Sequence, residues 1–354
     1  MNIVDTGVDL DDGEGLLDAD RNGLLRASAM AGAQVRATAA ALDEGVLDSL
    51  RSDLPPRTVI WVARPGAPGR AGAVLAAAFG ASLAAPVIVA DEVPPWIGAL
   101  DVLVVAGDDP GDPTLVGAAA TGVHRGARVL VVAPNEGPLR DVAAGRAVSL
   151  PPRVWVPDDF GFLRYLAAGM ALLHVVDQGT RVDLSSLADE LDAEALRNSA
   201  ARDLFTNPAK TLAERMSGYD VVLSGDTAAT VELARHGADM MFRVASTVTG
   251  AAGLPDVLAA VGAAAATRSR SLFHDEQIDG PLPRQLRTFV LSADTERHAL
   301  TARIRGFDDI TVIGAGDVPD VDQAAPINGR PEQQLAILAL RLEMTAVYLK
   351  LVRG

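Results

Sequence analysis

Short uninterrupted apolar runs alternate along the chain with Ala-rich stretches that repeat at helical spacing. Thr58 to Ala63, Pro86 to Ala90, Val102 to Ala106 and Arg128 to Ala133 read as strands, because apolar, mostly β-branched runs bounded by Gly, Pro or charged residues fit strands buried on both faces. Between them, Ala71 onward and Thr114 to His124 read as helices. Upstream, Leu24, Ala27, Ala31 and Val35 recur near helical spacing and predict one helix over Gly23 to Leu50. The order β-α-β-β-α-β predicts parallel pairing for strands joined by helices and right-handed crossovers, hence a doubly wound sheet.

A second rhythm follows a helical stretch, Phe162 to Val176, and a charged segment, Asp183 to Glu214. Asp220 to Leu223 opens into Ser224-Gly225-Asp226-Thr227 and a helix, Thr288 to Ser292 and Ile310 to Ile313 read as later strands, and Pro331 to Val352 as a closing helix. The expected fold is α/β, two doubly wound parallel-sheet domains. Its expected organisation is a helical segment over residues 1–54, a first domain over 55–180, a helical connection over 181–215 and a second domain over 216–354.

Composition narrows the chemistry. The 354 residues are 49% hydrophobic but only 4% aromatic, as expected for Ala-rich helices packed on Val-rich strands. With 31 basic against 46 acidic residues the formal charge is −15, which disfavours nucleic acid as a partner. Cysteine is absent, so disulfides, thiolate metal sites and cysteine nucleophiles are excluded. No basic, apolar leader pattern opens the chain, and its apolar stretches are broken by Pro, Gly, Ser or Asp; a cytoplasmic protein without membrane spans is expected.

No cofactor or metal signature emerges. Asp18-Ala19-Asp20-Arg21-Asn22-Gly23 opens like a calcium loop, but its twelfth position is Ala29, where a bidentate Glu is required. The five histidines lack metal-ligand spacing, and neither Gly-rich loop fits a Walker A or dinucleotide pattern. In doubly wound sheets ligands bind beyond the carboxyl ends of the strands, which points to the loops Arg64 to Arg70 and Gly107 to Pro113.

Several segments, in order, carry a family resemblance: Leu16-Leu17-Asp18-Ala19-Asp20 with Leu24-Leu25, Val59 to Gly72, Pro94-Pro95-Trp96-Ile97, Leu103 to Ala106, Phe273-His274-Asp275-Glu276, and the ending Thr345 to Gly354. Through them the chain resembles, nearly end to end, the bacterial bifunctional phosphoglucose/phosphomannose isomerases, which are built of two sugar isomerase (SIS) domains. That resemblance implies a phosphorylated sugar or related small molecule as ligand, a homodimer, and aldose-ketose isomerisation through an enediol, which needs a dianion cradle, a ring-opening group and a base.

The resemblance places the first cradle at Gly66-Ala67-Pro68, the second over Gly107 to Thr114 with Gly111 and Thr114 as candidates, the anchoring arginine at Arg164 and the ring-opening stretch at His274 with Glu276. Arg64 and Arg70 flank the first loop, where they could pair with the aspartates of the second loop or bind an anion themselves. Ser224, Gly225 and Thr227 are candidates in the loop after the first strand of the second half. The chain departs from the family where chemistry is concentrated. Pro68 stands where a hydroxyl donor is expected, Asp108, Asp109 and Asp112 crowd the second cradle, Leu254 to Arg270 contains no glutamate, and the family's tail with a Thr and a Lys does not follow Gly354. Asp239 and Asp256 are the nearest acids to the missing base. Three readings remain: a phosphosugar-binding member with weak or lost isomerase activity, an active glucose-6-phosphate/mannose-6-phosphate isomerase with relocated groups, and a non-catalytic structural dimer.

Overall fold

The computed structural model describes residues 8–177, 179–268, 285–317 and 330–353. The chain divides into two compact units, Arg26–Leu196 and a second formed by Arg197–Gly354 together with Met1–Leu25.

The expected single helix near the start is broken. After α1 (Gly13–Ala19), helix α2 (Leu24–Ala29) is interrupted at Met30 and α3 (Ala31–Asp43) follows. Asp20 sets the start of α2, its carboxylate accepting from the N–H groups of Leu24 and Leu25. The residues that suggested a calcium loop thus serve as a helix cap.

The first unit is built on β1 (Val59–Ala63), α4 (Ala67–Phe79), β2 (Val87–Ala90), β3 (Val102–Ala106), α5 (Pro113–His124), β4 (Arg128–Val132), α6 (Gly137–Ala143), β5 (Val148–Ser149), α7 (Phe162–Val176) and α8 (Leu184–Arg197). All strands are parallel, in the order β2-β1-β3-β4-β5. β1 and β3 are buried at every position, the pattern expected of central strands covered on both faces. Ile60, Val62, Leu103, Val105, Val129 and Val131 form one core with Leu115 and Ala119 of α5. On α7, Gly169 lets the helix approach closely: a Cβ there would lie 2.7 Å from a Leu75 methyl.

The second unit follows the same plan with α9 (Pro208–Met216), β6 (Asp220–Gly225), α10 (Ala228–Ala245), β7 (Gly250–Gly253), α11 (Leu254–Arg268), β8 (Leu286–Ser292), α12 (Asp294–Arg303), β9 (Ile310–Gly314) and α13 (Pro331–Arg353). Its strands are parallel too, in the order β7-β6-β8-β9. Val222 and Val290 face a core with Leu254, Val257 and Val261 of α11 and Leu300 of α12. α13 is buried along nearly its whole length, including Arg341, which donates to the carbonyls of Gly314 and Ala315, and Glu343, which lies 3.1 Å from His236 Nε2. Both halves are therefore α/β with parallel sheets. Among the described residues, no helix is long and apolar enough to cross a membrane, and no group of three or more His, Asp or Glu is placed to hold a metal ion.

Candidate functional site

In the first sheet the chain passes from β1 to β2 on one side and to β3 on the other, so the topological switch point lies between β1 and β3. The loops after these two strands are the two marked in the sequence. Leaving β1, Arg64 extends across the switch point, its Nε 3.2 Å from Asp112 Oδ2. Gly66 caps α4 with φ +118°, a left-handed conformation that favours glycine. Pro68 lies in the first turn of α4, where its missing N–H costs nothing, and its carbonyl accepts from Trp61 Nε1 at 3.0 Å. Arg70 follows in the same helix, its N–H bonded to the Gly66 carbonyl.

Each of the three aspartates in the second loop has its own task. Asp112 caps α5, accepting from Thr114 N–H at 2.8 Å and Leu115 N–H at 3.2 Å. Asp109 accepts from Gly111 N–H at 2.8 Å and so closes a tight turn. Asp108 turns inward, to Arg164 Nη2 at 2.8 Å and the Tyr165 hydroxyl at 2.5 Å. A helix N-terminus attracts anions, and at α5 that position is filled by the carboxylate of Asp112 itself. The N–H groups of Gly111 and Thr114, assigned to the cradle by resemblance, thus already have acceptors.

Arg164 is held from several sides. It is 9% exposed, pairs with Asp108, and lies over the Tyr165 ring with 4.1 Å to the centroid. Burial pushes the Tyr165 phenol well above its usual range; the charge of Arg164 opposes this and that of Asp108 adds to it, so Tyr165 acts as a hydrogen-bond donor. Arg164 Nη1 is buried without a hydrogen-bond partner, as is Gln34 Oε1 on α3. Both residues line a cavity of about 10 Å³, the size of one water.

Beside this pair opens a larger cavity of about 450 Å³ at the carboxyl edge of β3 and β4. Asp108, Glu136, Arg153, Trp155, Asp158 and Arg164 contribute to its lining. Arg153 is anchored by both oxygens of Glu44, at 2.7 and 2.5 Å, and Trp155 is 85% exposed. The resemblance named Arg164 as the anchoring arginine, and Arg164 contributes to the lining of this cavity. The sequence reading missed Trp155, Tyr165 and Gln34, whose only signals were an aromatic in a Pro-rich loop and a polar residue in an apolar helix face.

In the second unit the loop Ser224 to Thr227 leads into α10. Ser224 is fully buried and its hydroxyl has no partner. Gly225 is required by packing, because a Cβ would lie 2.3 Å from the Thr230 carbonyl carbon. Thr227 forms a capping box with Thr230: its side chain accepts from Thr230 N–H at 3.4 Å, and Thr230 Oγ1 accepts from Thr227 N–H at 3.1 Å. Asp239 lies within α10 and Asp256 in the first turn of α11. His274 and Glu276 lie outside the described residues.

No protein-family model and no curated protein sequence matches the chain. Solved structures do share its fold. The C-terminal domain of glucosamine-fructose-6-phosphate aminotransferase from Francisella tularensis superposes with a TM-score of 0.59 at 11% identity, covering 93% of this chain and 95% of the other. Tagatose-6-phosphate ketose/aldose isomerase from Escherichia coli gives 0.59 at 14% identity, with 98% and 94% covered. A glucose-6-phosphate isomerase like protein from Thermus thermophilus gives 0.52 at 20% identity, with 98% and 96% covered. At these identities the likeness establishes the two-sheet α/β fold.

Proposed function

We propose that the chain binds a phosphorylated sugar or related carbohydrate derivative at the carboxyl edge of its first sheet, with aldose-ketose isomerase activity weak or lost. The observation that carries this reading is the convergence of Arg153, Arg164 and Trp155 on the 450 Å³ cavity at the strand edge. A guanidinium pair suits a phosphate and an exposed indole suits a sugar face. The structures that share the fold are named for phosphorylated sugars, which supports the same ligand class. Within the cavity the phosphate competes with Asp108 for Arg164 and with Glu44 for Arg153, so modest affinity is expected.

The resemblance places the chain with the bifunctional phosphoglucose/phosphomannose isomerases, and we read it as a cytoplasmic homodimer of that type. Its loss of activity rests on the absence of glutamate from Leu254 to Arg270 and on the cradle that Asp112 already fills.

Glucose 6-phosphate, fructose 6-phosphate and mannose 6-phosphate are the direct probes. At about 100 times its Kd a ligand adds about 2.7 kcal/mol to stability, which thermal shift reads directly. At least one of the three should stabilise the protein, and Arg164→Met should abolish the shift. No stabilisation by any of them would overturn the reading. Robust interconversion of the three sugars would favour the active isomerase instead.

A further inference from the structure

The first-sheet cavity holds two acids that the phosphosugar reading does not use. Glu136 lies in the loop after β4, and Asp158 opens the short turn Asp158–Phe160 ahead of α7. Both line the 450 Å³ cavity beside Asp108, Arg153, Trp155 and Arg164. Glu136 occupies the position just before α6, where an acidic side chain often accepts from the first N–H groups of a helix, yet it makes no such bond. Both side chains are exposed, and neither has an ion pair or a side-chain hydrogen bond among the described residues.

The cations of the cavity are already matched. Arg153 is held by both oxygens of Glu44, and Arg164 by Asp108 at 2.8 Å. Two guanidiniums therefore stand against four carboxylates, those of Glu44, Asp108, Glu136 and Asp158. The surroundings are negative before any ligand arrives, and a phosphate makes them more so. A neutral sugar phosphate gives Glu136 and Asp158 nothing to bind. A ligand that also carries a protonated nitrogen supplies the missing countercharge and forms charge-assisted hydrogen bonds to them. Trp155, largely exposed in the same lining, adds a ring face that attracts a cation.

We propose that the ligand of this cavity is an amino sugar phosphate, with its phosphate at Arg153 and Arg164 and its ammonium at Glu136, Asp158 and the Trp155 ring. The inference rests on the phosphosugar reading above and adds the charge of the sugar to it. In a 2-amino-hexose 6-phosphate the amine lies across the ring from the carbon that bears the phosphate arm. A cavity of about 450 Å³ has room for such a ligand, so both charges are met at once. The acids then select among phosphosugars, and the arginines bind the group that all of them share.

Calorimetry on the full chain tests this with three probes: D-glucosamine 6-phosphate, N-acetyl-D-glucosamine 6-phosphate and D-glucose 6-phosphate. Near pH 6 the amine is protonated and the carboxylates are ionised. In magnesium-free buffer, glucosamine 6-phosphate should bind at least about tenfold more tightly than the other two. The double variant Glu136→Gln with Asp158→Asn changes two exposed side chains with little change of shape, and it should bring glucosamine 6-phosphate down to the level of glucose 6-phosphate. Equal affinity for all three probes would overturn this proposal and leave the phosphosugar reading standing, whereas no binding of any probe would overturn both. A preference for the amine that persists in the double variant would also overturn it. So would a gain of about tenfold in glucose 6-phosphate affinity on adding magnesium, with no preference for the amine, because a divalent cation held by carboxylates and phosphate would then be the countercharge.

Discussion

At the carboxyl edge of the first sheet, acidic side chains serve as internal ligands. Asp112 fills the N-terminus of α5 and meets Arg64, Asp109 closes a turn, and Asp108 locks Arg164 and Tyr165. At the corresponding edge of the second sheet, Asp226, Asp294 and Asp317 are similarly engaged, while Glu296 is not. The same plan of parallel strands thus supports two electrostatic outcomes. Where Asp108, Asp109 and Asp112 are each matched by a donor, an incoming anion has to displace a carboxylate to reach those donors; where a carboxyl is unmatched, as at Glu296, its proton is held more tightly.

The largest expected effect concerns catalysis. A positioned base contributes about 10² to 10⁴ in rate, and a single oxyanion donor about 10² to 10³. With no glutamate from Leu254 to Arg270 and the α5 N–H groups occupied by Asp112, isomerisation of the three hexose 6-phosphates should run at least about a thousandfold below that of a competent enzyme. A coupled assay measures this, and turnover within about tenfold of a competent enzyme would show that the filled first edge does not decide activity.

Next comes the Asp108–Arg164 pair. Removing one partner of a buried ion pair leaves the other uncompensated, at a typical cost of about 3–5 kcal/mol. Arg164 is nearly buried and Asp108 only partly so, which places Asp108→Ala toward the lower end, about 3 kcal/mol in urea denaturation. The double variant Asp108→Ala with Arg164→Met should recover part of that loss. Strict additivity of the two single changes would mean that the pair is not coupled.

A smaller effect is expected at Asp112. Serine is also a good helix cap, so Asp112→Ser should cost no more than about 1 kcal/mol. It removes the internal anion from the start of α5 and releases Arg64. Affinity for inorganic phosphate should rise by about tenfold in calorimetry. Unchanged affinity would show that the loop is not a filled anion site.

How much of this was legible in the sequence follows from where the signal resides. The continuous runs Val59–Ala63, Val102–Ala106 and Arg128–Val132 declared the buried parallel strands, since residues covered on both faces are apolar without alternation. β7, Gly-Ala-Ala-Gly, was invisible: those residues have little strand preference, and it exists through its register with Val222 to Gly225. The break at Met30 was hidden because apolar spacing continues across it. The ligand-edge loops were placed by the fold rule, but the contact of Asp108 with Arg164 spans 56 positions and only the packed structure brings it together. Glu296 lies in the polar run Asp294 to Arg303, and its raised pKa comes first from burial and then from the charge of Asp226 in the loop after β6, neither of which shows in the local sequence.

The smallest effect is also the sharpest probe of the difference between the two edges. Burial and the charge of Asp226 raise the folded-state pKa of Glu296 above its unfolded value, so the folded protein holds that proton more tightly. The stabilisation this provides is fully present below the unfolded value of about 4.3 and is lost as pH rises through the folded one. Glutamine keeps the shape of the neutral carboxyl and does not titrate. Glu296→Gln should therefore match the wild type near pH 4 and become the more stable of the two as pH climbs toward 8. Urea denaturation across that range measures the difference. A flat difference for Glu296→Gln, or one that favours the wild type at high pH, would place Glu296 among the satisfied carboxylates and erase the contrast between the two sheets.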